Sequence, residues 1–240
     1  AKTVELTWAK TRFTYEVSHE LKAPLASVYN ILTLILDGYL DNDPGKQREL
    51  LARAKVRINE LVKLLNDLLV FSHLEERTKA IQKRETDIRK VIESLVGDMD
   101  GYASQNGVRI EWTLADDLPV LFGNPELLGR VFENIIHNAI KYSDSGDKVS
   151  VGVRGENGTL VFVVTDEGMG IDSEDLHKVF DIFFRGKNAR PEHKKEGMGL
   201  GLSIVRRIVD AHDGCIRVTS RLQEGTTVEV RIPALSGTEQ

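Results

Sequence analysis

The sequence is poor in several features that mark particular classes of protein. Its 240 residues include one cysteine, Cys215, which excludes an internal disulfide and a cysteine-rich zinc site and favours a reducing compartment. The 32 lysines and arginines are outnumbered by 37 aspartates and glutamates, so no basic excess is available to bind nucleic-acid phosphates. Apolar runs such as 31–36 are far shorter than the roughly 20 residues that span a bilayer. We therefore predict a globular protein of one or two domains that binds no nucleic acid.

The first half of the chain is poor in glycine and carries two heptad patterns of apolar residues. The segment 37–45 between them is dense in turn residues, which predicts two long antiparallel helices joined by a short loop. Two helices alone cannot bury both apolar stripes, so we expect a homodimer in which two hairpins form a four-helix bundle. The stripes consist of Val17, Leu21, Pro24, Val28, Ile31 and Ile35, and of Leu51, Ala54, Ile58, Leu61, Leu65 and Leu68.

The glycine-rich second half changes to the alternating pattern of β-strands. The dipeptide Asn157-Gly158 separates two of these strands and is typical of a tight hairpin turn. Strands in hairpins with intervening helices predict a mixed sheet with helices on one face. The predicted strands are 108–112, 149–153, 160–164, 216–220 and 226–232, and the predicted helices are 88–103, 125–142 and 200–212.

One histidine of the first helix has the setting of a nucleophile. His19 falls at the exposed f position of the heptad, and an exposed imidazole can react through Nε2. Its neighbour Glu20 can position or accept the proton at Nδ1. Pro24 lies inside the seam, where it should bend the helix, because a proline in a helix interior costs roughly 3 kcal/mol. Taken alone, the pair is better explained as a surface histidine beside a glutamate.

Two clusters in the second half carry groups suited to a nucleotide. Asn134, Asn138 and Lys141 lie on one face of a predicted helix, where amide oxygens suit Mg²⁺ and the lysine suits phosphate. The segment 166–170 follows an apolar strand and contains an aspartate that can accept from an exocyclic amine, with two glycines that permit close approach to a flat ring. A polar helix face and a tight turn are the alternative interpretations.

A third cluster opens the last helix. Gly197, Gly199 and Gly201 precede an apolar helical segment, so N–H groups at the positive end of the helix form an anion site. The spacing fits neither the Walker loop nor the Rossmann fingerprint. The charged segment 185–196 just upstream is predicted to be a lid over this site.

Together these clusters resemble the transmitter core of a two-component sensor histidine kinase. Residues 18–25 are similar to the H box and residues 134–142 to the N box. Residues 166–171 resemble the first glycine box, 179–185 the F box and 197–204 the second glycine box. Each box alone is a weak signal, whereas five boxes in this order and at these separations are highly specific.

The resemblance implies an α+β protein: an N-terminal helical hairpin that forms a dimeric four-helix bundle, followed by an α/β sandwich ATP-binding domain of the GHKL type. We predict the hairpin over 1–78, a linker over 79–84, the ATP-binding domain over 85–235 and a tail over 236–240. ATP and Mg²⁺ are the implied cofactors, with Asn138 as the metal ligand. The implied nucleotide-binding residues are Asn134, Asn138, Lys141, Tyr142, Asp166, Gly168, Gly170, Arg185, Gly197, Gly199, Leu200 and Gly201.

By the same resemblance, the reaction is ATP-dependent autophosphorylation of His19, with Glu20 orienting the ring, followed by transfer to an aspartate of a response-regulator receiver domain. The receiver is expected to dock around Ser27, Asn30 and Leu34. The resemblance places the core in the cytoplasm, with membrane contact only through other parts of a longer parent protein.

One position departs from the family pattern. Ala23 stands where a hydrogen-bonding residue commonly serves phosphatase activity, so we expect that activity to be weak.

Two other functions are also compatible with the sequence. The first is ATP hydrolysis by the same fold, which Asn134 disfavours because it stands where the hydrolases carry a glutamate base. The second is a non-catalytic dimeric scaffold, which the polar residues retained in every nucleotide box disfavour. Phosphate release without phosphoprotein would support the hydrolase, and absence of Mg·ATP binding would support the scaffold.

Overall fold

The computed structural model describes residues 2–40, 42–75, 81–186 and 199–235; the side chains of 2–14, 16, 19, 20, 73 and 75 are outside that description. The chain divides into two compact units, Ala1–Val70 and Phe71–Gln240. The boundaries predicted at residues 78 and 85 stay a prediction.

Two long helices make up the first unit, as expected, and the end of the second helix after Val70 belongs to the second unit. Helix α1 spans Lys2–Leu36 and helix α2 spans Pro44–Glu75, and no helix within the described ranges is long and apolar enough to cross a membrane. Asp43 precedes Pro44 and accepts from the Lys46 N–H at 2.9 Å, which caps the start of α2. Pro24 lies inside α1, and the bend predicted there stays a prediction.

The hairpin leaves part of its apolar surface uncovered. Ile31 of α1 and Ala54 and Leu64 of α2 are buried, so the two helices pack together through these positions. The heptad pattern assigned Leu65 to the seam, but Leu65 is 49% exposed. It belongs to an exposed stripe of α2 that repeats at helical spacing. The stripe consists of Leu51, Ile58, Val62, Leu65 and Leu69, all between 46% and 57% exposed.

The second unit is built on a five-stranded mixed sheet. The strand order is β2-β4-β5-β7-β6, in which β2 and β4 are parallel and the other neighbours antiparallel. The strands are β2 Arg109–Leu114, β4 Lys148–Glu156, β5 Thr159–Asp166, β6 Cys215–Arg221 and β7 Gly225–Pro233. A separate pair, β1 Arg84–Thr86 and β3 Leu121–Gly123, was not predicted, since three residues are too few to show a strand period.

Within the part of the second unit that the structure describes, three helices accompany this sheet, namely α3 Ile88–Gln105, α4 Pro125–Lys141 and α5 Gly201–Ala211, with a 3-10 turn at Leu176–Lys178. Alternate residues of β4 are buried, most residues of β5 are buried, and Phe132 of α4 packs on Phe162 of β5 with ring centres 4.5 Å apart. The predicted turn is confirmed: Asn157 and Gly158 have φ values of 50° and 71°, as a two-residue hairpin requires. The α+β architecture is therefore confirmed.

The starting point of α4 is held by a histidine at the end of α5. Asn124 caps α4 through its side chain, and its own N–H donates to Nε2 of His212 at 3.0 Å. Nδ1 of the same ring lies 2.7 Å from the Ile208 carbonyl oxygen, so Nδ1 carries the proton and the imidazole is neutral. His212 is 3% exposed, and burial lowers the pKa of its ring.

Candidate functional site

A cavity of about 150 Å³ lies beside α4, at the end of the sheet where β5 finishes. The register places Ser220, Thr226 and Asp166 opposite one another on β6, β7 and β5. The next row on the same face is apolar. It consists of Val218, Val228 and Val164, and all three line the cavity. The cavity floor therefore has an apolar area bordered by a polar row.

Asp166 is the central acceptor of the polar row. It ends β5, is 7% exposed, and its Oδ1 accepts from the N–H groups of Gly168 at 3.0 Å and Thr226 at 3.1 Å. Burial raises the pKa of its carboxyl to about 6, although the two backbone hydrogen bonds oppose that rise. Oδ2 has no partner among the hydrogen bonds of the described residues, so it is the oxygen available to a ligand in the cavity.

The two glycines that follow Asp166 have different roles. A side chain on Gly168 would collide with the carbonyl oxygen of Tyr142, and the Gly168 N–H holds Asp166. Gly170 lines the cavity with φ +66°, and a side chain there would collide with the carbonyl oxygen of Arg221. Both glycines therefore bring backbone segments together, and of the two only Gly170 lines the cavity.

Helix α4 contributes part of the predicted set. Asn138 and Tyr142 line the cavity, together with the apolar Ile135 and Ala139. Lys141 is 8% exposed and does not line it; its Nζ lies 5.2 Å from the centre of the Tyr142 ring.

Asn134 meets the start of α5 instead of the cavity. Its Nδ2 donates to the Arg130 carbonyl oxygen at 2.8 Å. A Cβ on Gly201 would lie 3.1 Å from its Oδ1, so the glycine permits this approach. Leu200 is 1% exposed and precedes α5 without a capping side chain. Leu200 therefore supplies no side-chain cap to the first N–H groups of α5, which is compatible with an anion-binding helix end.

The segment 183–185 lies close to the same helix end. Arg185 is exposed and lines the cavity beside Phe184. The Phe183 N–H donates to the Gly199 carbonyl oxygen at 3.1 Å, and Gly199 has φ +69° with no room for a side chain. Gly197 and all of the predicted lid 185–196 after residue 186 lie outside the described residues, as do the side chains of His19 and Glu20, whose backbone belongs to α1.

Several residues that line the cavity have no role assigned from the sequence. Ile171 and Phe184 lie in the boxes 166–171 and 179–185 without an assigned contact, and Thr226 lies in no box. Ser220 holds Ile171 and Thr226 by hydrogen bonds. The alternation of β6 and β7 would have placed Thr226 and Val228 on one face. It does not reveal that this face meets Asp166, because Thr226 comes sixty residues after Asp166 in the chain.

Among the described residues, the side-chain oxygens that fit Mg²⁺ at this site belong to amides. No group of three or more His, Cys, Asp or Glu residues within the described ranges could hold a metal ion. Asn138 offers a hard oxygen in the cavity, and Asn134 retains Oδ1 after its Nδ2 is engaged. Mg²⁺ accepts few protein ligands when phosphates supply the others, so this donor set fits a metal that arrives with a nucleotide.

Two family models match the chain. "His Kinase A (phospho-acceptor) domain" matches residues 9–77, and "Histidine kinase-, DNA gyrase B-, and HSP90-like ATPase" matches residues 123–236. The second model covers most of the sheet, the cavity and α5, and it supports ATP as the nucleotide. The fold and the site thus define a phospho-acceptor helical hairpin followed by an ATPase-type domain.

Individual proteins agree with the models. "Drug sensory protein A" of Synechocystis is 35% identical over 93% of this chain, which spans 35% of that relative's length. A solved "Mycobacterial sensor histidine kinase MprB" is 30% identical with a TM-score of 0.55, covering 63% of this chain and 98% of its own. A "histidine kinase ThkA in complex with response regulator protein TrrA" is 20% identical with a TM-score of 0.71, covering 96% and 64%. The chain belongs to the two-component sensor histidine kinases and corresponds to their transmitter core.

Proposed function

We propose that this chain binds Mg·ATP in the cavity, phosphorylates His19 and passes the phosphoryl group to an aspartate of a response-regulator receiver domain. The observation that carries the proposal is Asp166, a buried carboxylate with one oxygen held by two N–H groups and the other available beside an apolar floor. This arrangement suits a flat aromatic base with an exocyclic amine. Its neighbours Asn138, Tyr142 and Arg185 supply polar groups for the rest of the nucleotide.

The chemistry is in-line phosphoryl transfer. Nε2 of His19 forms a bond to the γ-phosphorus while the bond to the bridging oxygen breaks and ADP leaves. Glu20 orients the ring through Nδ1 and accepts its proton. Asn138, with Asn134 nearby, would hold Mg²⁺, which offsets phosphate charge when bound. The start of α5 and Lys141 would contact the phosphates, with Gly197, Gly199 and Gly201 allowing the chain to approach them.

A labelling experiment tests the assignment of His19. Wild type, His19→Gln and His177→Gln are incubated with γ-labelled Mg·ATP, and acid-labile label on the protein is measured. His177 is an exposed histidine of the second unit and serves as the matched control. We expect label on wild type and His177→Gln and none on His19→Gln. Acid-labile label that persists on His19→Gln would contradict the assignment, and phosphate release without labelled protein would favour the hydrolase.

We also infer that the chain acts as a homodimer. The exposed stripe Leu51, Ile58, Val62, Leu65 and Leu69 supports this, because an apolar stripe of this length on a hairpin fits the core of a four-helix bundle. ThkA was solved with a response regulator, and we propose the same class of partner here, docking around Ser27, Asn30 and Leu34. The hairpin over 1–78, the linker over 79–84, the ATP-binding domain over 85–235 and the cytoplasmic location belong to this proposal.

A further inference from the structure

Ser220 is the hub of a hydrogen-bond network beneath the cavity. Its Oγ lies 2.8 Å from the Ile171 N–H nitrogen, 2.8 Å from the Gly225 carbonyl oxygen and 2.9 Å from Oγ1 of Thr226. Ile171 and Thr226 both line the cavity, whereas Ser220 is half-buried on the outer strand β6. The hydroxyl therefore connects two walls of the nucleotide site.

The directions of these three bonds follow from the available hydrogens. A serine hydroxyl donates one hydrogen bond and accepts two. The Ile171 N–H can only donate to it, and the Gly225 carbonyl oxygen can only accept from it. The single hydrogen of Ser220 is therefore used, and the hydrogen between Ser220 and Thr226 is donated by Thr226. The Thr226 hydroxyl then has only lone pairs left for a ligand.

The neighbouring carboxylate of Asp166 is likewise a hydrogen-bond acceptor. Thr226 lies directly opposite Asp166 on β5, and its N–H donates to Oδ1 of that carboxylate at 3.1 Å. When Asp166 is ionised, Oδ2 can only accept. The polar row thus offers the base two acceptors and no donor, which matches an exocyclic amino group with its two N–H groups and opposes an exocyclic carbonyl oxygen.

We propose that Ser220 is a positioning residue that determines base specificity, by holding the Thr226 hydroxyl as an acceptor so that 6-aminopurine nucleotides are favoured over 6-oxopurine nucleotides. The inference rests on the proposed nucleotide site. Without Ser220, the Thr226 hydroxyl is free to rotate and donate to a 6-oxo group. One hydrogen bond regained by the wrong base corresponds to a loss of selectivity of about tenfold.

The experiment measures dissociation constants of Mg·ADP and Mg·IDP by calorimetry with the full chain, since diphosphates prevent turnover. The variants are Ser220→Ala, Thr226→Val and the double variant. Thr227→Val is the matched control, because Thr227 pairs with the Thr165 hydroxyl at 3.0 Å on the exposed face of the same strands. Circular dichroism of each ligand-free variant checks folding. Thr226→Val keeps the shape of Thr226 and its N–H bond to Asp166, so it remains informative if Ser220→Ala is poorly folded.

We expect wild type and Thr227→Val to prefer ADP strongly, and Ser220→Ala to show a preference about tenfold smaller. In the Thr226→Val background, Ser220→Ala should leave the ratio of the two dissociation constants unchanged, because the Thr226 hydroxyl through which Ser220 acts is absent. Equal weakening of both nucleotides in Ser220→Ala, or the same change of ratio in both backgrounds, would overturn the proposal. If Ser220→Ala fails to fold, Thr226→Val alone tests the proposal. A ratio of ADP to IDP dissociation constants equal to that of wild type would then overturn the proposal, since base selectivity would not need the Thr226 hydroxyl. Absence of ADP binding to wild type would instead refute the proposed nucleotide site.

Discussion

Replacing Asp166 with asparagine should change how the stability of the second unit depends on pH. Asp166 is 7% exposed, and burial raises the pKa of its carboxyl from 3.8 to about 6. Between these two values the folded protein keeps a proton on Asp166 that the unfolded chain has released. The contribution of Asp166 to the free energy of unfolding of wild type therefore falls as the pH rises through this window and stays low above it.

The magnitude follows from the pKa difference. A rise of about two pKa units corresponds to about 3 kcal/mol. Asparagine keeps an oxygen that accepts from the Gly168 and Thr226 N–H groups, but it has no charge to bury. Relative to wild type, the free energy of unfolding of Asp166→Asn should therefore increase by about 3 kcal/mol between about pH 3 and about pH 7.

Urea unfolding without nucleotide measures this difference. Trp112 lies on β2, with its Nε1 donating to Asp100 at 2.8 Å, so its fluorescence reports on the second unit once Trp8 is replaced by phenylalanine. Thr227→Val changes no ionisable group and should show a constant offset from wild type across the pH range. A constant offset for Asp166→Asn as well would refute the reasoning, because it would mean that Asp166 titrates alike in the folded and unfolded chains.

Three further predictions concern other parts of the molecule. Burial lowers the pKa of His212, so stability present above pH 6.5 is lost as the pH falls below that value. The side chain of His212→Gln can still accept from the Asn124 N–H, so its free energy of unfolding at neutral pH, measured by thermal unfolding, should be lower than that of wild type by about 1 kcal/mol. This difference should become smaller in acid, and a difference independent of pH would contradict the reasoning. Ala23 is exposed, so Ala23→Thr should accelerate dephosphorylation of a phosphorylated receiver domain, measured by phosphate release, and an unchanged rate would count against it. Leu65→Lys should shift the chain from dimer to monomer in sedimentation velocity, while Lys63→Ala on the same helix should not; a dimeric Leu65→Lys would contradict the bundle.

The sequence by itself determined most of the local structure. The helix predicted over 125–142 is observed as Pro125–Lys141, and the strand predicted over 160–164 as Thr159–Asp166. Periodicity and capping explain this agreement, because they depend on near neighbours and survive without knowledge of the fold. The order of the five boxes, from residue 18 to residue 204, likewise identified the family before any distance was known.

The helical hairpin shows where periodicity reaches its limit. The heptad pattern places Leu65 in the seam and leaves Leu64 beside it, yet Leu64 is 8% exposed and Leu65 49% exposed. Adjacent positions on an apolar stripe broader than a single seam can face different partners, and only the packing of α1 against α2 decides which is covered.

The polar row beside the cavity, formed by Ser220, Thr226 and Asp166, depends on tertiary structure alone. Asp166 was found as the end of an apolar strand, but its partners Thr226 and Ser220 come from β7 and β6. The strand order β5-β7-β6 brings them into one row, and strand order is not encoded in local spacing. Gly168 is a second example. The sequence predicts that it lines the nucleotide site, whereas the structure shows that its missing side chain leaves room for the Tyr142 carbonyl oxygen. Cross-strand register and close backbone approach depend on how the whole chain packs, so the polarity of this site becomes visible only in the folded protein.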